Sequence, residues 1–223
     1  MRRILFASLL PIVSAVPLTA QFDGVITMKM GDADHQMDVK YFVSGQRAAF
    51  TMLAPANSGP ISGKEIRGVI DFSTMKETVL IPMQMGGMNG MKMVVDLNKA
   101  AGDNDKTSTY SMKDLGTTET IAGLTCEDFE IDNNGKLEDR ACMNKQSGHF
   151  AMSMVGGNAR GTAWMRAFGQ NVEAFPLKVT DSDGKPMMLV TSVQKGGVPS
   201  DIFTIPDGYM EMPSMGGRGR GGE

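Results

Sequence analysis

Methionine is the residue of this chain whose chemistry and spacing stand out. The sequence has 21 methionines among 223 residues. The densest run comprises Met83, Met85, Met88, Met91 and Met93. Thioether sulfur is a soft ligand for copper(I), an oxidisable group and a flexible apolar filler. The run therefore predicts a copper(I) site, an oxidation-scavenging surface or an adaptable apolar lining, with ordinary packing as the alternative.

The spacing of the methionines separates this run from the others. Its spacers Gly86-Gly87 and Asn89-Gly90 suit a loop, which can fold around an ion without steric cost. Met28 and Met30 instead share a predicted strand face with Ile26, which is ordinary core patterning. Other pairs lie at Met152/Met154 and Met210/Met212. We therefore restrict the copper(I) hypothesis to the dense run and expect no other cofactor.

No arrangement of residues indicates catalysis. The two histidines, His35 and His149, lie in no recognisable zinc or triad motif. The sequence has no P-loop, no dinucleotide fingerprint and no nucleophile elbow. The stretch Asp181-Ser-Asp183-Gly184 lacks the downstream acidic ligands of a calcium loop, and we interpret it as a hairpin turn. We therefore expect a non-enzymatic protein.

The N-terminus predicts export. Two arginines precede an apolar stretch over residues 4–16 that ends in small residues, as in a secretory signal peptide. We expect a signal peptide over residues 1–20 with cleavage after Ala20, and cleavage after Ala15 is the alternative. The protein is then periplasmic or, alternatively, secreted from the cell. The stretch is too short to span a bilayer, and no later segment is apolar for long enough.

The charge of the chain argues against nucleic acid as a partner. There are 22 basic and 25 acidic side chains, a formal charge of −3. Removing Arg2 and Arg3 with the signal peptide leaves 20 basic against 25 acidic, or −5. An acidic protein is repelled by phosphate backbones. The Met/Gly/Arg-rich tail over residues 211–223 is predicted to be disordered.

The two cysteines, Cys126 and Cys142, predict a disulfide, because an exported protein folds under oxidising conditions. The residues between them alternate around a turn signal and predict a hairpin. A three-residue loop, Asn133-Asn134-Gly135, sets the cysteines directly opposite each other, with the glycine in the left-handed conformation. This register also sets Glu130 opposite Glu138, which is electrostatically unfavourable. No CxxC spacing and no adjacent histidine supports the alternative of a redox-active or metal-binding pair.

Alternating apolar and polar residues predict a sheet. Such runs occupy residues 22–30, 37–43, 48–52, 66–72 and 76–81, and a last hairpin occupies 174–180 and 185–195. An asparagine cap and a following glycine predict a helix over 158–168. Residues 86–118 are Gly-rich and then polar, so we expect a flexible insertion in which only 91–97 forms a strand. The prediction is one mainly β domain over residues 21–210, built of antiparallel sheet with few helices.

Five sequence fragments, in their order and spacing, resemble the pattern of a known family. They are Phe22-Asp-Gly24, Gly45-Gln-Arg47, Ile81-Pro82, Ile121-Ala-Gly123-Leu-Thr-Cys126 and Phe203-Thr-Ile-Pro206-Asp-Gly208-Tyr209. Over residues 22–210 the chain resembles an uncharacterised family of secreted bacterial domains of unknown function, within the superfamily of the lipoprotein localisation factors LolA and LolB. It departs from the family pattern at Ala141 and Met143, beside Cys142, where an aromatic residue is expected.

The resemblance implies a fold and a function. The fold is a curved antiparallel sheet, a LolA-like half-open barrel with one or more short helices across its concave face. In the better-known relatives the hollow holds acyl chains or a hydrophobic partner. We therefore expect a monomer that does not span the membrane and binds a hydrophobic small molecule, such as an acyl chain or lipid, or an envelope protein. A methionine-rich protein that binds copper(I) or scavenges oxidants is the alternative.

Overall fold

The computed structural model describes residues 22–32, 34–83, 87–100, 109–153 and 174–212. The predicted signal peptide, the helix predicted over 158–168 and the tail from residue 213 onward lie outside these ranges. Within them, twelve strands form one sheet. The strands are β1 (Gly24–Met30), β2 (Met37–Ser44), β3 (Arg47–Leu53), β4 (Glu65–Asp71), β5 (Lys76–Ile81), β6 (Gly90–Asp96), β7 (Tyr110–Ile121), β8 (Leu124–Asn133), β9 (Lys136–Asn144), β10 (Phe175–Asp181), β11 (Pro186–Lys195) and β12 (Tyr209–Glu211).

Two meanders make up the sheet. Its strand order is β12-β6-β5-β4-β3-β2-β1-β11-β10-β9-β8-β7. Consecutive strands pair antiparallel from β1 to β6 and from β7 to β11, and the two meanders meet where β1 pairs with β11. Strand β12 adds in parallel beside β6. The sheet is curved and unclosed, with β12 and β7 at its edges, which confirms the predicted mainly β fold.

One face of the sheet carries the hydrophobic core, and we call it the core face. Strand alternation sets its side chains in rows, in which Ile26 lies opposite Tyr41 and Tyr41 lies opposite Phe50. All three are fully buried. Gly68 is next in this row, and a Cβ there would lie 2.1 Å from Phe50 Cε1. Strand β4 therefore needs glycine at this position to lie beside an aromatic side chain of β3.

An extended segment crosses the core face. Residues 147–153 run from the end of β9 over Tyr41 on β2 to Glu77 on β5, and we call them the crossing segment. The Phe150 ring stacks on Tyr41 with the ring centroids 5.3 Å apart. It also meets the Phe175 ring edge-on at 5.1 Å. Aromatic contacts of this kind stabilise beyond the area that they bury, so the crossing segment is an integral part of the core.

The helices expected across the concave face are not seen in the described part of the chain. The helix α1 (Leu97–Ala100) has four residues and directly follows β6. A 3₁₀ turn at Ser200–Phe203 lies against the face opposite the core. There the Arg47 guanidinium carbon is 4.8 Å from the centroid of the Phe203 ring. A second 3₁₀ turn, Gly59–Ile61, lies between β3 and β4.

The register of the β8–β9 hairpin differs from its prediction by two residues at the cysteines. Cys126 and Cys142 form a disulfide, with their Cα atoms 5.2 Å apart, but Cys142 pairs with Asp128 rather than with Cys126. The turn has two residues, Asn134-Gly135, both with positive φ, as in the tightest hairpin turns. A bulge at Glu138 of β9, which the register skips between Leu137 and Asp139, shifts the pairing by one more residue. The predicted three-residue loop and direct opposition of the cysteines were therefore wrong.

The observed register removes the electrostatic objection to this hairpin. Glu130 lies opposite Arg140 and not opposite Glu138. Arg140 Nη2 lies 3.3 Å from Glu130 Oε1, and Lys113 Nζ on β7 lies 3.5 Å from Glu130 Oε2. Opposite charges across a strand pair favour the register that brings them together, so this ion pair supports the two-residue turn.

Much of the predicted flexible insertion over 86–118 belongs to the sheet. Strand β6 is the one strand that was expected there, but β7 is a second strand of 12 residues at the sheet edge. Residues 101–108 lie outside the described ranges. Strand β12 likewise extends to Glu211, one residue into the predicted tail. Every residue of β7 is exposed or half-buried, so the alternation by which strands are recognised is weak.

Candidate methionine site

The methionines of the dense run gather at one edge of the sheet. Met83 follows β5 and packs, half-buried, against the core. Met88 is half-buried in the loop before β6. Met91 and Met93 lie on β6 opposite core-face residues of β5, so they project from the core face. Met85 lies outside the described residues.

Strand β12 brings two further methionines to this edge. Met210 is the register partner of Met91 in the parallel pair of β12 and β6. The Met212 N–H donates a 2.8 Å hydrogen bond to Lys92 O, which continues this pairing and sets Met212 beside Met93. Residues two apart on a strand project from the same face. Met91, Met93, Met210 and Met212 therefore form a two-by-two group on the core face, which we call the methionine array.

The methionine array is a partly open region of the core face. Met91, Met93 and Met212 are half-buried, and Met210 is 46% exposed. Ile81, the partner of Met91 on β5, is only 7% exposed. An apolar row therefore runs from the buried interior of the sheet to a solvent-accessible end that is made of thioethers.

Hydrogen bonds and an ion pair hold β12 against β6. The Asn89 N–H donates to Gly208 O at 2.9 Å, and Asn89 Nδ2 donates to Asp207 O at 3.0 Å. On the face opposite the array, Lys92 Nζ lies 3.4 Å from Glu211 Oε2. Backbone and side-chain contacts therefore hold the two strands of the array together.

Gly90 permits the close approach of β12. A Cβ at this position would lie 2.3 Å from Ile81 O and 2.9 Å from Tyr209 Cε1. Both distances are far below van der Waals contact, so any larger residue must push β5 or β12 away. The glycine that looked like a loop spacer in the sequence is the first residue of β6.

A buried polar anchor lies beneath the crossing segment. Glu77 is fully buried, and its carboxylate oxygens accept hydrogen bonds from the Ser153 N–H at 2.6 Å and from Ser153 Oγ at 2.7 Å. The Tyr41 hydroxyl donates to Ala151 O at 3.1 Å and accepts from the Ala151 N–H at 3.2 Å. Two polar side chains of the sheet therefore fix residues 151–153 to the core face.

Burial dominates the electrostatics of this anchor. It raises the pKa of Glu77 from 4.5 to about 7, because desolvation disfavours the carboxylate more than the Ser153 hydrogen bonds favour it. Burial also raises the pKa of the Tyr41 hydroxyl well above its usual value, so Tyr41 stays neutral. Glu77 titrates near neutral pH, but it is sealed under the crossing segment. Its geometry is that of a structural anchor and not of a group that meets a substrate.

Conventional metal ligands are scattered. Within the described ranges, no group of three or more His, Cys, Asp or Glu side chains is placed to hold a metal ion. His35 is exposed, and its Nδ1 lies 3.1 Å from Asp32 Oδ1. The His149 ring packs on Phe72 with the centroids 5.2 Å apart. Thioethers are therefore the soft ligands that this part of the chain brings together.

The calcium-like stretch between β10 and β11 is a hairpin turn. Asp181 Oδ1 accepts hydrogen bonds from the Asp183 N–H at 3.0 Å and the Lys185 N–H at 2.8 Å. Gly184 has φ +80°, which closes the turn. The Asp181 carboxylate is thus engaged by the backbone, as the hairpin interpretation predicts.

The family of the chain follows from its match to known proteins. A family model described as Domain of unknown function (DUF4412) matches residues 22–209. The chain belongs to this family. The DUF4412 match includes Met91 and Met93 and ends just before Met210 and Met212, and it confirms the expected uncharacterised family. No curated protein matches the chain. In the described part of this DUF4412 domain, no helix is long and apolar enough to cross a membrane.

The sequence grouped the methionines of one segment, and the structure brings Met210 and Met212 to the same edge. The two segments carry matching triplets. The triplets Met91-Lys92-Met93 and Met210-Glu211-Met212 have the same spacing and opposite central charges. In the DUF4412 domain they lie side by side, and the two charges form the Lys92–Glu211 ion pair.

Proposed function

We propose that this exported domain is a non-enzymatic binding protein for a hydrophobic ligand, an acyl chain or lipid, and that it works in the periplasm after removal of its signal peptide. The ligand enters the core face at the methionine array. One observation carries the proposal: a buried apolar row ends in half-exposed thioethers at an open edge of the sheet. The resemblance to LolA and LolB that the sequence suggests also supports it, since the hollow of those proteins holds acyl chains or a hydrophobic partner.

Binding at this edge rests on burial of apolar surface. Each buried Å² of apolar surface contributes roughly 25 cal/mol. Methionine is flexible and polarisable, and so it adapts to acyl chains of different length and saturation. The charged pair Lys92 and Glu211 lies on the opposite face, so the array presents only apolar groups to the ligand.

The size of the array favours an acyl chain over an envelope protein. Stable protein interfaces bury about 800 Å² on each partner and involve some 20 residues a side. The methionine array spans two strands and has four members, Met91, Met93, Met210 and Met212. A narrow apolar strip of this kind fits a single chain of methylene groups.

Two variants at adjacent positions test the proposal. Met93 lies on the core face of β6, and Val94 lies on the opposite face and is 36% exposed. We expect Met93→Glu to weaken the binding of a fluorescent fatty acid at least about tenfold, because a charge would have to be buried unpaired. Val94→Glu should leave the binding unchanged. Equal effects of the two variants on fatty-acid binding would rule out the core face as the binding surface.

A second measurement identifies the natural ligand. The protein is purified from the periplasm without detergent and extracted with organic solvent, and the extract is analysed by mass spectrometry. We expect stoichiometric lipid or fatty acid from the wild type and much less from Met93→Glu. A wild-type protein that carries no lipid and does not bind the fluorescent probe contradicts the proposed function, and a co-purifying protein in its place favours the envelope-protein alternative.

A further inference from the structure

We propose that the methionine array is a copper(I) site with the ligands Met91, Met93, Met210 and Met212. This inference goes beyond binding of a hydrophobic ligand, and it changes the ligand set that the sequence predicted. Met83, Met85 and Met88 are replaced by two methionines from the opposite end of the chain.

The geometry of the array suits one ion. Neighbouring strands lie about 5 Å apart, and residues two apart along a strand lie about 6.6 Å apart. The four side chains therefore stand at the corners of a small rectangle on one face of the sheet. Methionine has three rotatable bonds that let its sulfur lean toward the centre of such a rectangle. Copper(I) is satisfied by few, soft ligands and imposes no demanding geometry.

The surroundings of the array select a soft monovalent ion. Lys92 and Glu211 lie between the methionines in sequence but project from the other face. No cluster of three or more carboxylate, imidazole or thiolate groups occurs among the residues that the structure describes. Magnesium and calcium prefer oxygen ligands and zinc prefers imidazole and thiolate, so an all-thioether site discriminates against these ions.

Thioether ligation also determines how the copper(I) affinity of the array depends on pH. Cysteine and histidine must lose a proton before they bind a metal, whereas the thioether of methionine carries none. The copper(I) affinity of the array should therefore stay constant between about pH 5.5 and about pH 7.5, where a histidine site weakens with acid. This property distinguishes the array from any site that uses His35 or His149.

A bound ion would also tie β12 to β6. Strand β12 is three residues long, and its paired residue Met210 is 46% exposed. An ion bridging Met91 and Met210 adds a link between the two strands. Ligands that bind only the folded state stabilise it, so copper(I) should slow amide exchange at the Met212 N–H.

The experiment is a competition titration under nitrogen with ascorbate as reductant. The exported protein competes with a chromophoric copper(I) chelator, and silver(I) serves as a redox-inert probe in native mass spectrometry. Three variants are compared with the wild type. The array variant carries Met91→Leu, Met93→Leu, Met210→Leu and Met212→Leu. The run variant carries Met83→Leu, Met85→Leu and Met88→Leu. The distant variant carries Met112→Leu and Met187→Leu, two half-buried core-packing positions elsewhere in the sheet.

We expect one copper(I) per chain and a loss of affinity of at least about tenfold in the array variant. The run and distant variants should match the wild type. Leucine is apolar and close to methionine in volume, so all three should fold, which their thermal midpoints verify. Wild-type affinity in the array variant overturns the proposal, and so does a loss of affinity in the run variant alone.

The same variants separate this inference from the proposed function. Leucine preserves apolar surface but removes sulfur, so the array variant should retain fatty-acid binding while it loses copper(I). Met93→Glu should lose the fatty acid. If the array variant keeps copper(I) and loses the fatty acid, the copper(I) inference fails and the acyl-binding proposal stands.

Discussion

Ser153 donates both its backbone N–H and its hydroxyl to Glu77, at 2.6 Å and 2.7 Å, across 76 residues of sequence. Glu77 belongs to β5 of the first meander, and Ser153 ends the described part of the segment that follows β9 of the second. The contact therefore ties the two meanders together through a group that is wholly removed from solvent. Such a group couples the stability of the fold to pH.

The first prediction concerns this pH dependence. Burial raises the pKa of Glu77 to about 7 in the folded state, whereas 4.5 applies when the group is solvated. Below pH 4.5 the carboxyl is neutral in both states, so there is no penalty. As pH rises from 4.5 to 7, the unfolded chain ionises while the folded protein holds its proton. The free energy of unfolding should therefore fall across this window, by up to about 3 kcal/mol from this group.

Glu77→Gln is the matched control for the pH prediction. Glutamine retains an oxygen that accepts from Ser153 and cannot ionise. Urea unfolding of both proteins at several pH values should show wild type losing stability relative to the variant between pH 4.5 and 7. Burial and, after it, the nearby Glu77 charge raise the pKa of Tyr41, so this neighbour stays neutral throughout. Parallel stability profiles of the two proteins would show that Glu77 does not titrate in this window.

The second prediction concerns the disulfide. Cys126 and Cys142 close a loop with a sequence separation of 16. In the chain-entropy treatment a loop of this size stabilises the folded state by about 3 kcal/mol. The double variant Cys126→Ala/Cys142→Ala should lose free energy of unfolding of this order in urea. Wild type measured with a reductant should behave similarly, and a loss below about 1 kcal/mol would argue against the entropic origin.

The third prediction concerns the attachment of β12. Gly90→Ala places a Cβ against Ile81 O and the Tyr209 ring, so β12 should detach and the Met212 N–H should exchange at least about tenfold faster. Gly87→Ala is the control, since Gly87 also has positive φ, +87°, but has open space around it. It should show only the backbone cost of about 1 kcal/mol. Equal exchange in both variants would mean that the close approach at Gly90 does not position β12.

Strand positions were accessible from the sequence because burial alternates along a strand. The alternation of Ile26, Met28 and Met30 with polar residues marks β1, and the same reasoning locates β2 to β6. Strand β7 was missed because none of its residues is buried, so its apolar alternation is weak. Sequence alternation thus detects contact with a core and not strand structure itself.

The strand register and the pairing of segments far apart in the sequence were harder to predict from the sequence. The hairpin register depended on the length of the turn, and a bulge at Glu138 of β9 shifted it by one more residue. The opposition of Glu130 and Arg140 was the available signal for the correct pairing. The neighbourhood of Met91 and Met210 arises from a parallel pairing between distant parts of the chain, which no local pattern specifies. The sequence therefore predicted the methionines of β6, which lie in one local run, and did not predict that those of β12 lie beside them.

The pairing of β1 with β11, which we call the seam, joins the two meanders and bears on the order in which they fold. Within each meander, neighbours in the sheet are neighbours along the chain, so their pairings close loops much shorter than the one between β1 and β11. The seam joins residues as remote as Thr27 and Thr191, whose hydrogen bond spans 164 positions. Closing so long a loop is entropically slow until both of its ends are ordered. We expect the two meanders to form first as separate units and the seam to close last, so that β1 governs the rate of folding.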